Sequence, residues 1–200
     1  VFEDGEFIAE KTDEVLFTKY GASGPAVIGI SRSASLSLSK GRRAKIVFNF
    51  LPQYTEDQVA KIVSDFSKIN NERLVELLLS GIIHKKLAYA ILKLSGIEYT
   101  NIGAKELKKS EIERIVKNLT HLEIEIMGTL PISEAQVTTG GIPLAEVKPE
   151  TLESVIVKGL YFAGEVLNVD GDSGGYNLQW AWSSGYVAGK SAGESLREKQ

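Results

Sequence analysis

Residues 159–177 restrict the fold of this chain more than any other segment, because an apolar run leads through glycine-rich turns into a helix. Residues 160–163 predict a short buried strand, and Gly164 directly after it allows close approach to the backbone. Gly174 and Gly175 predict a turn without Cβ atoms, followed by a helix from about Asn177. The unpaired N–H groups at the start of that helix favour a nearby partial negative charge.

This segment and its surroundings resemble the C-terminal flavin-binding part of a bacterial family of FAD-dependent oxidoreductases, the aminoacetone-oxidase-like or bile-acid-inducible N-type flavoproteins. The matching residues follow in order at 137–142, 146–149, 164–167 and 174–185. An earlier run, residues 14–26, resembles the inserted middle domain of the same family. The resemblance therefore covers most of the chain.

The resemblance implies contacts with FAD. The Glu165 carboxylate would accept a hydrogen bond from a ribityl hydroxyl group, because a carboxylate accepts without donating. The N–H groups at the helix start would meet the pyrimidine edge of the flavin, where negative charge accumulates on reduction. The turn at 138–141 would lie beside the isoalloxazine ring. The predicted cofactor-binding residues are Gly140, Gly141, Gly164, Glu165, Gly174, Gly175, Tyr176, Asn177 and Leu178.

Each of these features also has a purely structural interpretation. Glu165 alone reads as an exposed loop glutamate, the helix start as an ordinary N-terminus, and residues 138–141 as a simple strand-to-loop turn. The sequence assigns no catalytic residue.

The motif that would hold the FAD pyrophosphate is missing from the sequence. A two-dinucleotide-binding-fold flavoprotein uses a G-x-G-x-x-G turn between an N-terminal strand and a helix. No such motif occurs in the 200 residues. We therefore expect a fragment that binds FAD weakly and is inactive alone, with the N-terminal half of the parent protein as its partner.

The resemblance implies hydride transfer that involves FAD. It allows NAD(P)H as the reductant, and oxygen or an unsaturated organic compound as the other reactant. The substrate is an unknown small molecule. The alternative is a non-catalytic interaction or nucleic-acid-binding module without flavin, which predicts no dependence on added FAD.

Nucleic-acid binding is not predicted for the chain as a whole. Basic clusters occur at 40–45, 84–86 and 105–109, and short helices can form a helix-turn-helix. Acidic residues lie among these clusters, however, and the net charge is −3. The clusters are therefore interpreted as solvated surface.

Composition excludes several other kinds of site. The chain has no cysteine and two histidines, so a disulfide framework and a zinc site are not expected. No apolar run approaches the ~20 residues of a membrane span, and a cytoplasmic location without membrane contact is predicted.

The acidic loop at 168–172 partly resembles a calcium-binding loop. Asn168, Asp170 and Asp172 are spaced like the first three ligands of an EF-hand, but Ser173 and Gln179 replace the required glycine and glutamate. No metal is predicted. Asn168 also departs from the family, in which Asp is expected.

The order of periodicities predicts an α+β fold. The pattern indicates a β-barrel-like sheet with an inserted helical bundle, and the family resemblance implies that the C-terminal segment of a two-dinucleotide-binding-fold FAD domain follows. The predicted inserted domain covers 1–133, with a β part at 1–52 and 119–133 and a helical part at 53–118; the FAD-domain segment covers 134–200. Short apolar runs between turns predict strands at 7–10, 15–17 and 26–30, and period-two alternation predicts strands at 33–39, 46–50 and 122–126.

Helices are predicted where the apolar period changes to 3.6. Capping boxes at 55–58 and 110–113 predict helix starts, and residues 74–79 and 84–94 predict two further helices, the second ending at Ser95-Gly96. Residues predicted to face inward are Leu87, Ile91 and Leu94 in one helix and Ile112, Ile115, Val116 and Leu119 in the next. The small residues Ala181, Gly185, Ala188, Gly189 and Ala192 predict close packing of the last helix on a sheet.

Overall fold

The computed structural model describes residues 1–69, 75–97 and 103–197. Helices and antiparallel strands both occur within them, which confirms a mixed α and β fold. The strands are β1 (Phe2–Glu3), β2 (Glu6–Phe7), β3 (Leu16–Phe17), β4 (Ala22–Ser23), β5 (Ala44–Phe48) and β6 (Leu122–Ile126). The helices are α1 (Pro25–Ser39), α2 (Glu56–Ile69), α3 (Val75–Ser80), α4 (Lys85–Leu94), α5 (Lys109–Thr120) and α6 (Tyr176–Arg197).

The chain divides into two compact units. Unit 1 consists of Val1–Thr12 and Ser37–Met127, and unit 2 consists of Asp13–Leu36 and Gly128–Gln200.

Unit 1 contains an open antiparallel sheet in the order β2-β1-β5-β6. Strands β5 and β6 pair along their whole length, from Ala44 opposite Ile126 to Phe48 opposite Leu122. Glu123 and Glu125 alternate with the apolar residues of β6 and are exposed. The sheet therefore has a polar face along this edge strand.

Helices α2 to α5 enclose the larger hydrophobic core of unit 1. Val59, Val63, Ile91, Ile115 and Leu119 are among its fully buried side chains. They repeat at helical spacing, so each helix buries one stripe. The predicted stripe on α5 is confirmed, because Ile115, Val116 and Leu119 are buried and Ile112 packs against them.

The two predicted capping boxes have different outcomes. At α2, the Thr55 hydroxyl accepts the N–H of Gln58, whose side chain accepts the N–H of Thr55 in return. At α5, the prediction was wrong by two residues: the Glu111 carboxylate accepts the N–H of Lys108, and the helix begins at Lys109. Glu111, two residues before the predicted Glu113, is therefore the glutamate that accepts the N–H group preceding this helix.

Helix α4 confirms the predicted ending but not every predicted inward residue. Gly96 has φ +78° directly after Ser95, so glycine relieves the strain of a left-handed residue there. Ile91 is buried and Leu87 is half-buried, whereas Leu94 is 59% exposed. Leu94 lies three residues beyond Ile91 on the turn that leaves the core, so its prediction was wrong. The predicted helix at 74–79 is α3, and Leu74 lies outside the described residues.

The predicted strands at 26–30 and 33–39 are wrong, because these residues form α1. Pro25 occupies the first helical position, where its fixed φ suits a helix and its missing N–H costs nothing. Ala26, Ile30 and Ala34 are buried at intervals of four residues, which is the helical period. The alternation of serine and leucine at 33–39, which predicted a strand, occurs inside this helix and does not set its buried face.

None of the helices in the described ranges combines the length and apolar character needed to cross a bilayer.

Candidate functional site

Within unit 2, the turn at 138–141 packs against the residues that follow the predicted 160–163 strand. Ile142 and Leu167 form a parallel bridge, in which the Ile142 N–H donates to the Val166 carbonyl at 2.9 Å and the Asn168 N–H donates to the Ile142 carbonyl at 3.0 Å. Gly141 has φ +127°, and a Cβ there would stand 2.5 Å from the Val166 oxygen. Close approach of the two segments therefore requires glycine at this position.

The strand predicted at 160–163 is reduced to a single antiparallel bridge between Glu153 and Tyr161. Two hydrogen bonds flank it, from the Ser154 N–H to the Leu160 carbonyl and from the Phe162 N–H to the Leu152 carbonyl. A strand needs continuous pairing with a neighbour, and these bonds close a short loop instead. Tyr161 and Phe162 still pack against the smaller core around Val147 and Leu167.

Glu165 points its carboxylate at the neighbouring turn. The backbone N–H and the hydroxyl of Thr138 both donate to it. These hydrogen bonds, the hydroxyl first, lower the pKa of Glu165 below its ordinary value of 4.5, while partial desolvation opposes them. The carboxylate is therefore held ionised, and it keeps free acceptor positions because two oxygens offer about four lone-pair sites.

Gly164 is buried and is held by helix α6. Its N–H donates to the Ser184 hydroxyl at 2.8 Å, and its carbonyl accepts the indole N–H of Trp180 at 3.2 Å. It adopts φ +71°, the conformation that glycine tolerates best. The structure therefore gives Gly164 a packing role that joins the Glu165 segment to α6.

The loop before α6 is fastened to the first turn of the helix. The Asn177 side-chain oxygen accepts the Gly171 N–H at 2.8 Å, and its amide donates back to the Gly171 carbonyl at 2.9 Å. Gly174 and Gly175 follow with φ +132° and +97°, and α6 begins at Tyr176, one residue before the predicted start. The glycine-rich turn and helix start are thus confirmed as structure.

Asp170 connects this loop to two other parts of unit 2. It accepts a hydrogen bond from the Thr139 hydroxyl at 3.1 Å and forms an ion pair with the Arg32 guanidinium of α1. Asp170 is therefore engaged by protein groups rather than left open as a calcium ligand. No cluster of three histidine, aspartate or glutamate side chains suited to a metal occurs among the described residues.

These contacts bring the predicted positions together in three neighbouring pieces: the 138–141 turn, the Gly164–Glu165 pair and the first turn of α6. At Gly140 and Gly175 an added Cβ would meet no atom within 4 Å, so space remains open beside both turns. In α6 the Gln179 N–H donates to the Gly175 carbonyl at 2.9 Å, so the N–H groups of Tyr176, Asn177 and Leu178 lie at the start of the helix, ahead of its regular hydrogen bonding. Open glycine turns, the N–H groups of a helix start and an ionised carboxylate fit the acceptor edge and hydroxyl groups of a flavin nucleotide.

Sequence reasoning missed Arg32, Trp180 and Ser184. Trp180 and Ser184 are one helical turn apart, which is the local signal for a shared face on α6. The predicted small-residue face is only partly buried: Ala188 is buried, whereas Ala181, Gly185 and Gly189 are exposed. The buried face of α6 is instead the one that carries Ser184 and Ala188.

The opposite face of α6 is apolar and uncovered. Leu178, Trp182 and Tyr186 stand at intervals of four residues, and Trp182 is 72% exposed. Together with Ala181 and Gly185 they line a shallow depression.

The sequence matches known proteins along most of its length. Residues 1–137 match the family described as HI0933-like protein barrel and H2TH domain. A 3-dehydro-bile acid delta(4,6)-reductase of Clostridium scindens is 40% identical over 189 residues, which cover 94% of this chain and 46% of the reductase.

Two further relatives carry a different name. Ribosomal RNA dihydrouridine synthases of Haemophilus influenzae and Escherichia coli are 33% and 31% identical over 88% of this chain, which matches 41% of each. The chain spans less than half the length of the curated relatives it matches.

Proposed function

Because this chain belongs to the HI0933-like protein family, we propose that it supplies the inserted domain and the C-terminal flavin-binding segment of an FAD-dependent oxidoreductase. The predicted resemblance to this group of flavoproteins is confirmed by the family match and the bile acid reductase relative. The proposed division is 1–133 for the inserted domain and 134–200 for the FAD-domain segment. The observation that carries the proposal is the set of contacts that joins both glycine turns, Glu165 and the start of α6.

The relatives' names favour one class of reaction. A 3-dehydro-4,6-diene and the uracil ring each contain a carbon–carbon double bond conjugated to a carbonyl group. Their reduction adds a hydride at the carbon remote from the carbonyl and a proton at the nearer carbon. We therefore propose that the substrate is a small molecule with such a double bond.

FAD, when bound, would supply the hydride, with NAD(P)H as the reductant that restores it. Glu165 would accept a hydrogen bond from a ribityl hydroxyl while the Thr138 contacts hold its carboxylate in place. The N–H groups at the start of α6, those of Tyr176, Asn177 and Leu178, would stabilise negative charge at the pyrimidine edge, by about 0.3–2 kcal/mol depending on burial. Gly140 and Gly141 would keep the second half of the turn at 138–141 free of side chains.

The exposed apolar face of α6 supports a further partner. Leu178, Trp182 and Tyr186 leave large side chains in water in unit 2, and faces of this kind mark interaction surfaces. We propose that the N-terminal half of a full-length flavoprotein packs there and contributes the pyrophosphate-binding turn that this sequence lacks.

A direct test uses the complete natural protein, reconstituted with FAD and supplied with NAD(P)H. The probe is a 3-keto-4,6-diene steroid acid, whose ultraviolet absorbance falls when the conjugated system is shortened. The saturated 3-keto acid, which has no double bond to reduce, is the matched control. Retained flavin together with loss of the diene absorbance is expected. A protein that binds no flavin, or a flavoprotein that leaves the diene intact, contradicts the corresponding part of the proposal.

A second candidate is the same reaction on a uracil ring in RNA, and helix α4 is the observation that favours it. Its ten residues contain three lysines and no acidic residue. Lys85 and Lys86 occupy the first turn, where the helix dipole favours acidic side chains. Tyr89 is 51% exposed on the face that also carries Lys85 and Lys93. Lysines beside an exposed aromatic ring suit phosphates and an unstacked base.

The two candidates differ in the substrate that oxidises the reduced enzyme. An unmodified ribosomal RNA transcript should gain two hydrogens per converted uridine by mass spectrometry if the second candidate holds. The Tyr89→Ala/Lys93→Gln variant should weaken RNA binding at low salt, whereas Lys190→Gln on α6 should not. RNA that remains unmodified while the steroid is reduced would favour the first candidate.

A further inference from the structure

The carboxylate of Asp170 is enclosed although it lies in a surface loop. Its side chain is 13% exposed, whereas the Arg32 side chain that pairs with it is 55% exposed. The Thr139 hydroxyl donates to the other carboxylate oxygen at 3.1 Å. Asp170 is therefore covered by two groups from distant parts of the sequence, α1 and the turn at 138–141.

The neighbours of these residues belong to the candidate cofactor site. Gly171, the residue after Asp170, is held by both side-chain groups of Asn177 in the first turn of α6. Thr139 has two neighbours in the candidate site. Gly140 follows it in the glycine turn, and Thr138, which precedes it, donates to the Glu165 carboxylate. A displacement of Asp170 would consequently reach both glycine turns.

Besides holding Asp170 in place, the positive charge of Arg32 compensates negative charge in this part of unit 2. Glu165, Asp170 and Asp172 place three carboxylates within eight positions of the sequence that leads into α6. FAD also carries negative phosphates, and reduction adds negative charge to its ring system. An arginine that is always protonated offsets one carboxylate at this place without depending on pH.

We propose that Arg32 is a positioning residue of the cofactor site, which acts through Asp170. It fixes the loop at 168–175 against the turn at 138–141 and compensates the Asp170 charge. The inference rests on the proposed flavin-binding function. It assigns a role to a residue of α1, far in sequence from the glycine turns.

The ordinary alternative is that the ion pair only fastens α1 to the loop. Exposed ion pairs contribute little to stability on average, and a purely structural pair would change thermal stability alone. A positioning role predicts changes in FAD affinity and in flavin midpoint potential. These two quantities depend on the charge that faces the cofactor.

The experiment uses the complete natural protein and four variants: Arg32→Gln, Arg32→Lys, Asp170→Asn and the Arg32→Gln/Asp170→Asn double variant. FAD dissociation constants are measured by flavin fluorescence, and midpoint potentials by equilibration with reference dyes. The control is Arg42→Gln, which removes the same charge from the Arg42–Glu3 ion pair in unit 1.

For Arg32→Gln we expect the FAD dissociation constant to rise about tenfold and the midpoint potential to become more negative. Arg32→Lys should stay within about threefold of the wild-type affinity, because the charge remains while the planar pairing is lost. The double variant should return the potential towards the wild-type value, because both charges are removed together. Arg42→Gln should leave both quantities unchanged.

Equal affinities and potentials for Arg32→Gln and Arg42→Gln would overturn the inference. A lower melting temperature for Arg32→Gln without either cofactor effect would overturn it as well, since only a structural role would remain. A wild-type protein that binds no FAD would instead refute the proposed function on which the inference rests.

Discussion

The hydroxyl oxygen of Ser184 accepts the backbone N–H of Gly164 at 2.8 Å, while the same hydroxyl donates to the Trp180 carbonyl one turn earlier in α6. Ser184 is 2% exposed. This single hydroxyl therefore satisfies a buried donor and fixes the distance between α6 and the segment that carries Glu165. The position of the Gly164–Glu165 pair relative to helix α6 therefore depends on this hydroxyl group.

Ser184→Ala should destabilise unit 2 by about 1–3 kcal/mol, because the Gly164 N–H is left buried without an acceptor. Urea unfolding followed by tryptophan fluorescence measures the loss, and amide hydrogen exchange at Gly164 should become faster. The control is Ser183→Ala, which removes an exposed hydroxyl from the adjacent position and should cost less than about 0.5 kcal/mol. Similar losses for the two variants would mean that the Gly164 contact carries no energy.

The two glycines of the turn at 138–141 should respond differently to alanine. Gly140→Ala meets open space and bears only the strain of its positive φ, about 1–3 kcal/mol. Gly141→Ala adds a methyl group that must displace the Val166 carbonyl, so its cost should exceed that of Gly140→Ala. Melting temperatures of the two variants, compared in one buffer, check the order. A Gly140 variant at least as unstable as the Gly141 variant would contradict the packing described for Ile142 and Leu167.

Local signals allowed correct prediction of several elements from the sequence. The glycine turn before α6, the capping box of Thr55 and Gln58 and the glycine after α4 are all fixed by residues within four positions of one another. The stripe on α5 repeats at the helical period without interruption. Such features need no knowledge of the tertiary structure.

The sequence-based predictions failed where a segment fits both the strand and the helix period of apolar residues. They also failed where a side chain contacts a residue far away in the sequence. In α1, the alternation at 33–39 fits a strand, and burial of Ala26, Ile30 and Ala34 decides for a helix only after folding. The contacts of Arg32 with Asp170 and of Ser184 with Gly164 join residues that no sequence period connects. The grouping of 138–141, 164–165 and α6 was predicted through family resemblance, whereas the side chains that hold it required coordinates.

The packing of the helical part of unit 1 can be checked with two leucines. Leu119→Ala should cost about 2–5 kcal/mol, because the side chain is fully buried and its removal leaves a cavity. Leu94→Ala should change the free energy of unfolding by about 0.5 kcal/mol or less, because that side chain is largely exposed. Chemical denaturation measures both. A large loss for Leu94→Ala would support the inward orientation that the sequence predicted.

The Glu165 carboxylate should make the stability of unit 2 depend on pH in the acidic range. Its pKa is lower in the folded chain than its ordinary value of 4.5, chiefly because the Thr138 hydroxyl and then the Thr138 N–H donate to the ionised form. The stabilisation is therefore complete above pH 4.5, and it is lost as the pH falls through the lowered folded-state pKa.

Glu165→Gln removes this contribution, and Thr138→Val removes the part that comes from the hydroxyl while the backbone N–H still donates. Each variant should be less stable than the wild type at pH 7, and the difference should shrink as the pH falls from the ordinary glutamate pKa through the lowered folded-state pKa, where the wild-type carboxyl becomes protonated in the folded chain as well. Because the carboxyl is largely exposed, solvent screening keeps the effect small, so matched unfolding curves at several pH values are required. Glu194→Gln, on an exposed turn of α6, is the control and should show a much weaker trend. A difference between wild type and Glu165→Gln that stays constant from pH 7 to acid would mean that the Thr138 hydrogen bonds do not favour the ionised carboxylate.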